Sequence, residues 1–510
     1  MNIISARSGS NGGAVTLYGS DFHANFESLK VSVSYVQQRD ILHEDLTLRE
    51  ALMYAAELRL PTDISQEDRH NSVLEAARKV KLEERLDTPI KKLSGGQKKR
   101  ASLGCEILAE PRVIFLDEVT SGLDEATDAD MMKTLRELSA GGMTIIMVTH
   151  TLANIENNCS RLVFMAEGGH LIYDGSPKDA AVFFDVERLG DIFGVTKPAT
   201  VPHWQEQLRR RPDRQNVVRR LQGHDLDGDG AEAPAPAKPA RLIDHFWQAS
   251  VLFRRNVSLA LGAWQFLAMS FVQAVALGVL IGVAFSGEFN EGARANTQNM
   301  VLFLLGLIGI WIGCNYSCQQ LVAELDIFKR ERDIGIRPTE FVVAKFASTI
   351  LFAVPQILIT VTIMWLIIEE FPPGFVMQAI VAVVSCIFGC TIGLLVSAVS
   401  KSRDQASAIS PLAVIPQLIF GGDLIPPPPD YGERAKELLL GMHWIGEAQR
   451  AFWASASDDE INLLSIHTGK LSSLSEDGAP FALGMLSLHI LALLLIVVCF
   501  VYALYRDKRN

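Results

Sequence analysis

Six long apolar runs in the C-terminal half constrain this chain more than any other feature: residues 264–285, 300–320, 342–368, 375–399, 406–425 and 481–504. Each comes near the ~20 residues with which a helix crosses the ~30 Å hydrocarbon core of a bilayer. A backbone in lipid must satisfy its own polar groups, so runs of this kind fold as membrane-spanning helices, and residues 241–510 are expected to form an all-α six-helix transmembrane domain. Pro411 and Pro416 interrupt the hydrogen-bond ladder of the fifth run. The connection 321–341 carries Lys329, Arg330, Arg332 and Arg337, the next one on that side carries Lys401 and Arg403, and the tail carries Arg506, Lys508 and Arg509. The short loops on the opposite side hold Arg294 alone. Basic residues stay in the cytoplasm, which places these segments and the soluble half there, and the long loop from about 426 to 480 outside. That loop has neither cysteine nor Asn-x-Ser/Thr, so no disulfide or glycan is expected in it, in keeping with a bacterial inner membrane.

The first half is of different material. It opens with no signal peptide and is polar enough to be soluble. The whole chain is 49% hydrophobic and only 21% charged, as a chain partly in the membrane should be. Its net charge of −11, with no clustered basic face, excludes a nucleic-acid binder. Of seven cysteines, Cys105, Cys159, Cys314, Cys318, Cys386, Cys390 and Cys499, the last five fall in apolar runs. The pairs Cys314/Cys318 and Cys386/Cys390 sit at i, i+4 and read as small buried packing residues rather than metal ligands.

The chemistry lies between Leu93 and His150, which reads LSGGQ, then VIFLDE, then SGLD, then IIMVTH. Ser94, Gly95 and Gly96 stand where a loop becomes a helix, so backbone N–H groups and the helix dipole offer a site for a phosphate. Residues 113–116 are a short β-branched run that reads as a buried parallel strand, delivering Asp117 and Glu118 at its carboxyl end. Open α/β sheets keep their chemistry at that edge. Asp117 suits Mg²⁺, and Glu118 suits the positioning of an attacking water. Residues 144–148 form a second such strand, which ends in Thr149 and His150. Between them EATDADMMKTLRELSAGG reads as a crossover helix stopped by Gly141 and Gly142. RLVFMAEGGHLIYDG reads as a hairpin around Gly168 and Gly169.

With these four pieces in order, the chain resembles the nucleotide-binding domain of ATP-binding cassette (ABC) transporters, whose signature, Walker B, D-loop and H-loop they match. The segment YVQQRDILHEDLTLRE is similar to the Q-loop of the G subfamily, so Gln38 stands where the family's glutamine reaches Mg²⁺, although Gln37 replaces the usual Pro and Arg39 an acid. Thr47 and Glu50 form a capping box that opens the next helix. Val119, where the family usually has Pro, is a departure beside Walker B. The order of cassette and then membrane domain, with ELDIFKRERDIG after the second span, resembles the G-type half-transporters. The resemblance implies ATP and Mg²⁺ as cofactors. Glu118, His150 and Gln38 would be catalytic, Asp117 and Gln38 would hold the metal, and Ser94, Gly95, Gly96, Gln97 and Asp124 would contact nucleotide. It also implies a second half-transporter as partner, in a homodimer or heterodimer, because each ATP is sandwiched between one cassette's Walker A and the other's signature.

One part is missing from this pattern. The phosphate cradle G-x-x-x-x-G-K-[ST] should precede the signature, yet no Gly-Lys-Ser or Gly-Lys-Thr occurs before Leu93, and Gly9, Gly12 and Gly13 lead into no helix. The opening MNIISARSGSNGGAVTLYG looks like the continuation of a Walker A helix, so a fragment or a misassigned start is expected. The fold class is therefore an α/β nucleotide-binding domain of P-loop NTPase type, incomplete at its N-terminus, over 1–185. Connecting helices and a Pro/Ala/acidic linker follow over 186–240, then the membrane domain. Asp225, Asp227, Asp229 and Gly230 imitate half of an EF-hand loop, but Pro236 takes the place of its final Glu, so calcium is not expected.

The function expected is an ATP-driven half-transporter. The alternative is a catalytically inactive or regulatory membrane subunit that donates its signature to a partner. No span centre carries Asp, Glu, Lys or Arg, so a strongly charged passenger would lack a partner there and an apolar or amphipathic one that enters from membrane lipid is expected. Gln273, Asn315, Gln356 and Gln417 are the polar residues within spans and read as interhelical hydrogen-bonding groups.

Overall fold

A computed structural model describes residues 4–5, 12–17, 19–38, 40–211, 242–287, 291–332, 335–420, 441–456 and 478–506. Gly9, Arg39, the acidic run 225–236, residues 421–440 and 457–477, and Lys508 and Arg509 lie outside the described residues. The chain divides into two compact units, Met1–Arg241 with Lys508–Asn510, and Leu242–Asp507.

The first unit begins with a two-residue hairpin, β1 (Thr16–Leu17) and β2 (Ser20–Asp21). Its centre is a three-stranded parallel sheet ordered β3 (Val33–Val36), β4 (Val113–Asp117), β5 (Thr144–Val148), with Val33 opposite Val113 and Ile114 opposite Ile145. Ile114, Phe115 and Leu116 are buried, the unbroken apolar run of a strand covered on both faces. On β5 Ile146 and Val148 are 36% and 40% exposed, and among the described residues no strand pairs with its outer edge. An antiparallel hairpin, β6 (Leu162–Ala166) and β7 (His170–Gly175), turns through Gly168 and Gly169 at φ +80° and +76°, a backbone that glycine adopts without strain. Val163 and Met165 on β6 are exposed as well.

Helix α1 (Leu48–Arg59) starts at the Thr47/Glu50 capping box and buries Leu48, Leu52 and Ala56. They pack with Val73 and Ala77 of α2 (Gln66–Lys79) and Ala101 and Cys105 of α3 (Gly95–Ile107). Helix α4 (Glu125–Ala140) is the crossover between β4 and β5, and Gly142 at φ +99° follows its end. Helices α5 (Pro177–Phe184) and α6 (Val201–Arg210) complete the unit.

The second unit is helical: α7 (Leu242–Gly262), α8 (Trp264–Ala284), α9 (Glu291–Ser317), α10 (Leu325–Arg332), α11 (Pro338–Ile367), α12 (Phe375–Val399), α13 (Arg403–Phe420), α14 (Gly441–Ala456) and α15 (Gly478–Arg506). Among the described residues five helices are long and apolar enough to cross a membrane: Trp264–Ala284, Thr297–Ser317, Pro338–Ile367, Phe375–Val399 and Ala479–Leu504. The fifth expected run, 406–425, is not among them: its residues to Phe420 lie on α13, which stays helical through Pro411 and Pro416, and residues 421–425 lie outside the described residues.

The α9–α12 pair forms the spine of this unit. Small residues let the two backbones approach closely: a Cβ on Gly313 would meet the Cys386 carbonyl oxygen at 2.1 Å, and one on Gly389 the Ile310 carbonyl oxygen at 2.3 Å. Cys314, Cys386 and Cys390 are fully buried in this packing. Two points differ from the sequence reading. The loop expected from 426 to 480 contains α14, and its Met442, Trp444, Ile445 and Ala448 are buried against α9, α12 and α15. Sixteen residues with mixed polarity are too few for a span, the length at which a core or re-entrant helix escapes detection. The basic connection 321–341 contains α10, where Arg330 and Glu331 are buried. Arg255 of α7 donates to Glu331 at 2.6 and 2.9 Å, and Lys345 of α11 to Glu324.

A candidate nucleotide site in the first unit

The carboxyl ends of β3, β4 and β5 bring together residues distant in sequence. Gln38 leaves β3 and donates from Nε2 to Glu118 Oε2 at 2.8 Å. His150, just beyond β5, puts Nδ1 3.6 Å from the same oxygen. Asp117, the last residue of β4, accepts from the Tyr35 hydroxyl at 2.8 Å. Glu118 itself takes φ +48°, a left-handed conformation that costs a non-glycine residue about 1–3 kcal/mol. Its N–H donates to the Val148 carbonyl at 2.9 Å, which ties the turn to β5 and holds that conformation.

The donor set fits Mg²⁺. One carboxylate, Asp117, and one amide, Gln38, suit an ion that keeps several waters and takes phosphate oxygens, and no group of three or more His, Cys, Asp or Glu that could hold a metal occurs among the described residues. When bound, the ion would supply charge neutralisation to phosphate oxygens.

Ser94, Gly95, Gly96 and Gln97 do not join this cluster. They form the first turn of α3, where Ser94 is the N-cap: its hydroxyl accepts from Gln97 N at 3.3 Å, and its N–H donates to the Gln97 side chain at 3.0 Å. This reciprocal cap fixes a turn whose leading N–H groups have no intrahelical acceptor. Gly95 is open, with nothing within 4 Å of a Cβ built there, whereas a Cβ on Gly96 would meet Thr127 Cγ2 at 2.4 Å. The signature turn thus packs on the start of α4. There Asp124 is the N-cap and accepts from Thr127 N at 2.9 Å and Thr127 Oγ1 at 2.7 Å, and these bonds hold its carboxyl below the usual range.

The sequence did not single out Tyr35, Thr127 or Lys99. A tyrosine in a buried strand needs a partner for its hydroxyl, but nothing local in the sequence names Asp117 as that partner. Lys99 of α3 donates to the Gln38 carbonyl at 3.3 Å and so joins the signature helix to the glutamine loop. Nearby, burial pushes the Asp40 carboxyl up against the opposing pull of Lys99 and Lys98.

Gly96→Ala is expected to lower stability by about 1–3 kcal/mol, the usual cost of overpacking, because the β-branched Thr127 has little rotamer freedom with which to yield. Thermal unfolding of the purified chain measures it. Thr127→Ser, which keeps the capping hydroxyl and removes Cγ2, should restore most of the loss.

The family described as ABC transporter matches residues 1–121, and the one described as ABC-2 type transporter matches residues 248–429. An ABC transporter ATP-binding/permease protein of Mycobacterium tuberculosis is 32% identical over 481 residues, which cover 90% of this chain and 52% of that protein. ABC transporter G family member 9 of Dictyostelium discoideum is 24% identical over 463 residues, covering 81% of this chain and 30% of that protein. G family member 22 of the same organism is 27% identical over 361 residues, covering 64% and 56%. The chain thus spans about half, or less, of the length of these relatives.

Proposed function

This chain is an ATP-binding cassette followed by an ABC-2 type transporter domain, with G family members among its relatives, and from that premise we propose that it works as one half of an ATP-driven transporter. The observation that carries the reading is the meeting of Gln38 and His150 on Glu118, beside Asp117, at the carboxyl edge of the sheet. Glu118 orients and polarises the water that attacks the terminal phosphate. Asp117 and Gln38 would hold the magnesium ion when it is bound, and His150 would reach the terminal phosphate from the third strand. Ser94 to Gln97 serve a different site, that of a partner cassette, to which the leading N–H groups of the turn, at Gly95 and Gly96, are offered; what supports this division is that the turn is closed by its own cap and, among the described residues, makes no hydrogen bond to Glu118, Asp117 or His150. The passenger is an uncharged apolar or amphipathic molecule, because the span centres carry no charge that could hold an ionic one, and buried Lys345, near the end of its span, is paired with Glu324.

A second reading is favoured by one specific observation, the lack of a Gly-Lys-Ser or Gly-Lys-Thr cradle ahead of the signature in these 510 residues. On it, the chain is a membrane subunit without an ATPase site of its own that lends its signature to a partner. The test is to purify the chain alone and in a pair with a half that carries a complete cradle, and to measure ATP turnover in both. Turnover is expected in the pair and none above background in the homodimer. Robust turnover in the homodimer would show that the cradle has been wrongly identified as absent. Stimulation of the pair by small hydrophilic ions but by no lipid or hydrophobic compound would remove the amphipathic passenger.

A further inference from the structure

Three of the polar residues within the spans line one cavity. Gln273 of α8, Asn315 of α9 and Gln356 of α11 surround a space of about 260 Å³, and Asn315 Nδ2 donates to Gln273 Oε1 at 3.3 Å. Gln356 is 3% exposed, and its amide N donates to the carbonyl of Phe352 on its own helix at 2.9 Å. Each of the three amides spends one group in this way. Among the described residues the Gln356 oxygen, the Gln273 nitrogen and the Asn315 oxygen have no hydrogen-bond partner. Inside a membrane-spanning helix bundle an amide group left without a hydrogen bond is costly, about 1–3 kcal/mol on protein scales. These groups are therefore poised for a ligand that can both donate and accept.

The remainder of the lining is apolar apart from Ser270, whose hydroxyl donates to the Leu267 carbonyl of its own helix at 2.7 Å, and Tyr316, and it includes no charged residue. Met269 and Val272, on the side formed by α8, are 67% and 60% exposed, and only 17% of the span on α8 is covered by the rest of the chain. The cavity thus lies beneath a helix face that meets lipid chains. Tyr316 stands with its ring 6.2 Å from that of Phe266 and 6.3 Å from that of Phe352, a wall suited to an apolar chain or ring. The volume falls just below the ~300–1,000 Å³ of ordinary small-molecule sites, enough for a head group and the first few methylenes. The rest of such a molecule would stay in the bilayer.

We propose that this cavity binds an uncharged amphiphile with a hydroxyl or amide head, taken from the surrounding lipid, through the free amide groups of Gln273, Asn315 and Gln356. The ligand is the passenger only if the proposed transport of an amphipathic molecule holds; the binding site does not depend on it. A charged head is rejected, since it would lose its water with only neutral amides in return.

The test uses the full chain in lipid nanodiscs with a monoacylglycerol that carries a photoreactive diazirine next to its head, and a fatty acid of equal chain length as the charged control. Labelling should map to peptides of α8, α9 and α11 and be competed by unlabelled monoacylglycerol. Gln356→Leu and, separately, Gln273→Leu should each weaken it by about threefold to tenfold, the worth of one hydrogen bond. Two variants on different helices guard against a fold defect in either one. Labelling spread evenly over lipid-facing helices, or equal labelling by the fatty acid that neither variant changes, would overturn the proposal. Turnover of the paired assembly is read in parallel. Saturable labelling without stimulation supports the site and counts against the passenger; stimulation without labelling of these helices overturns the site and leaves the passenger reading intact.

Discussion

ATP turnover by a complex of this chain with a half that carries a complete phosphate cradle is expected to fall by about 10²–10³-fold when Gly95→Asp is introduced here, the scale of losing one preorganised donor at a reacting anion. Gly95 is exposed at the first turn of α3 and has nothing within 4 Å of its would-be Cβ, so the fold has room for the side chain. An acid there even complements the helix dipole. On the proposed role of the turn, what it does is to set a carboxylate against the phosphates of the partner's nucleotide. The companion measurement gives the result its meaning. Glu118→Gln in this chain should leave the same complex active, because on the proposed division Glu118 serves the site whose cradle comes from its own chain, and these 510 residues carry no Gly-Lys-Ser or Gly-Lys-Thr ahead of the signature. The change preserves an oxygen able to accept from Gln38 Nε2, so it alters charge and little else. If Glu118→Gln silences the complex and Gly95→Asp does not, the assignment of the two clusters to opposite sites is reversed.

Gly313→Val is expected to be among the most damaging changes in the membrane domain. Its Cβ would lie 2.1 Å from the Cys386 carbonyl oxygen and 2.7 Å from Cys390 N, both backbone atoms on α12 that no rotamer change can move. Either α9 and α12 separate along their length or the contact near Gly389 and Gly393 is lost. Overpacking costs typically about 1–3 kcal/mol and more where backbone is struck, and in lipid no hydrophobic force draws the pair back together. The yield of monodisperse protein in detergent, together with its melting temperature, should drop sharply. Gly484→Val on α15 is the control: the space around Gly484 is open, and the change should stay within about 0.5 kcal/mol of wild type. Equal behaviour of the two variants would mean that close approach of α9 and α12 does not hold this unit together.

What could be read without coordinates follows a physical line. Asp117, Glu118 and His150 are legible because a buried parallel strand announces itself by its apolar run, and its last residues fall at a sheet edge whatever else the fold does. The caps at Thr47 and Ser94 are legible because capping is decided within four residues. Tyr35 is not, since its partner Asp117 is 82 residues away and nothing local distinguishes it from a core tyrosine. Lys345 is not, because a cation near the end of a span reads as cytoplasmic decoration until it is found buried with the half-buried carboxylate of Glu324 beside it. The helix of residues 441–456 is hidden by its length, and the grouping of Gln273, Asn315 and Gln356 by their places on three separate helices. In each of these cases the deciding partner is remote in sequence.

The outer edge of β5 has a consequence for how this chain behaves in solution. A strand whose outer edge no described strand pairs, and which carries exposed Ile146 and Val148, is adhesive, and it has none of the lysines, prolines or bulges with which sheet edges ordinarily keep strangers away. The cassette therefore needs a cover on that side to remain a well-behaved solute, and where none is supplied the same edge that would seat a proper neighbour recruits whatever extended segment passes, turning a folding element into a seed for clumping.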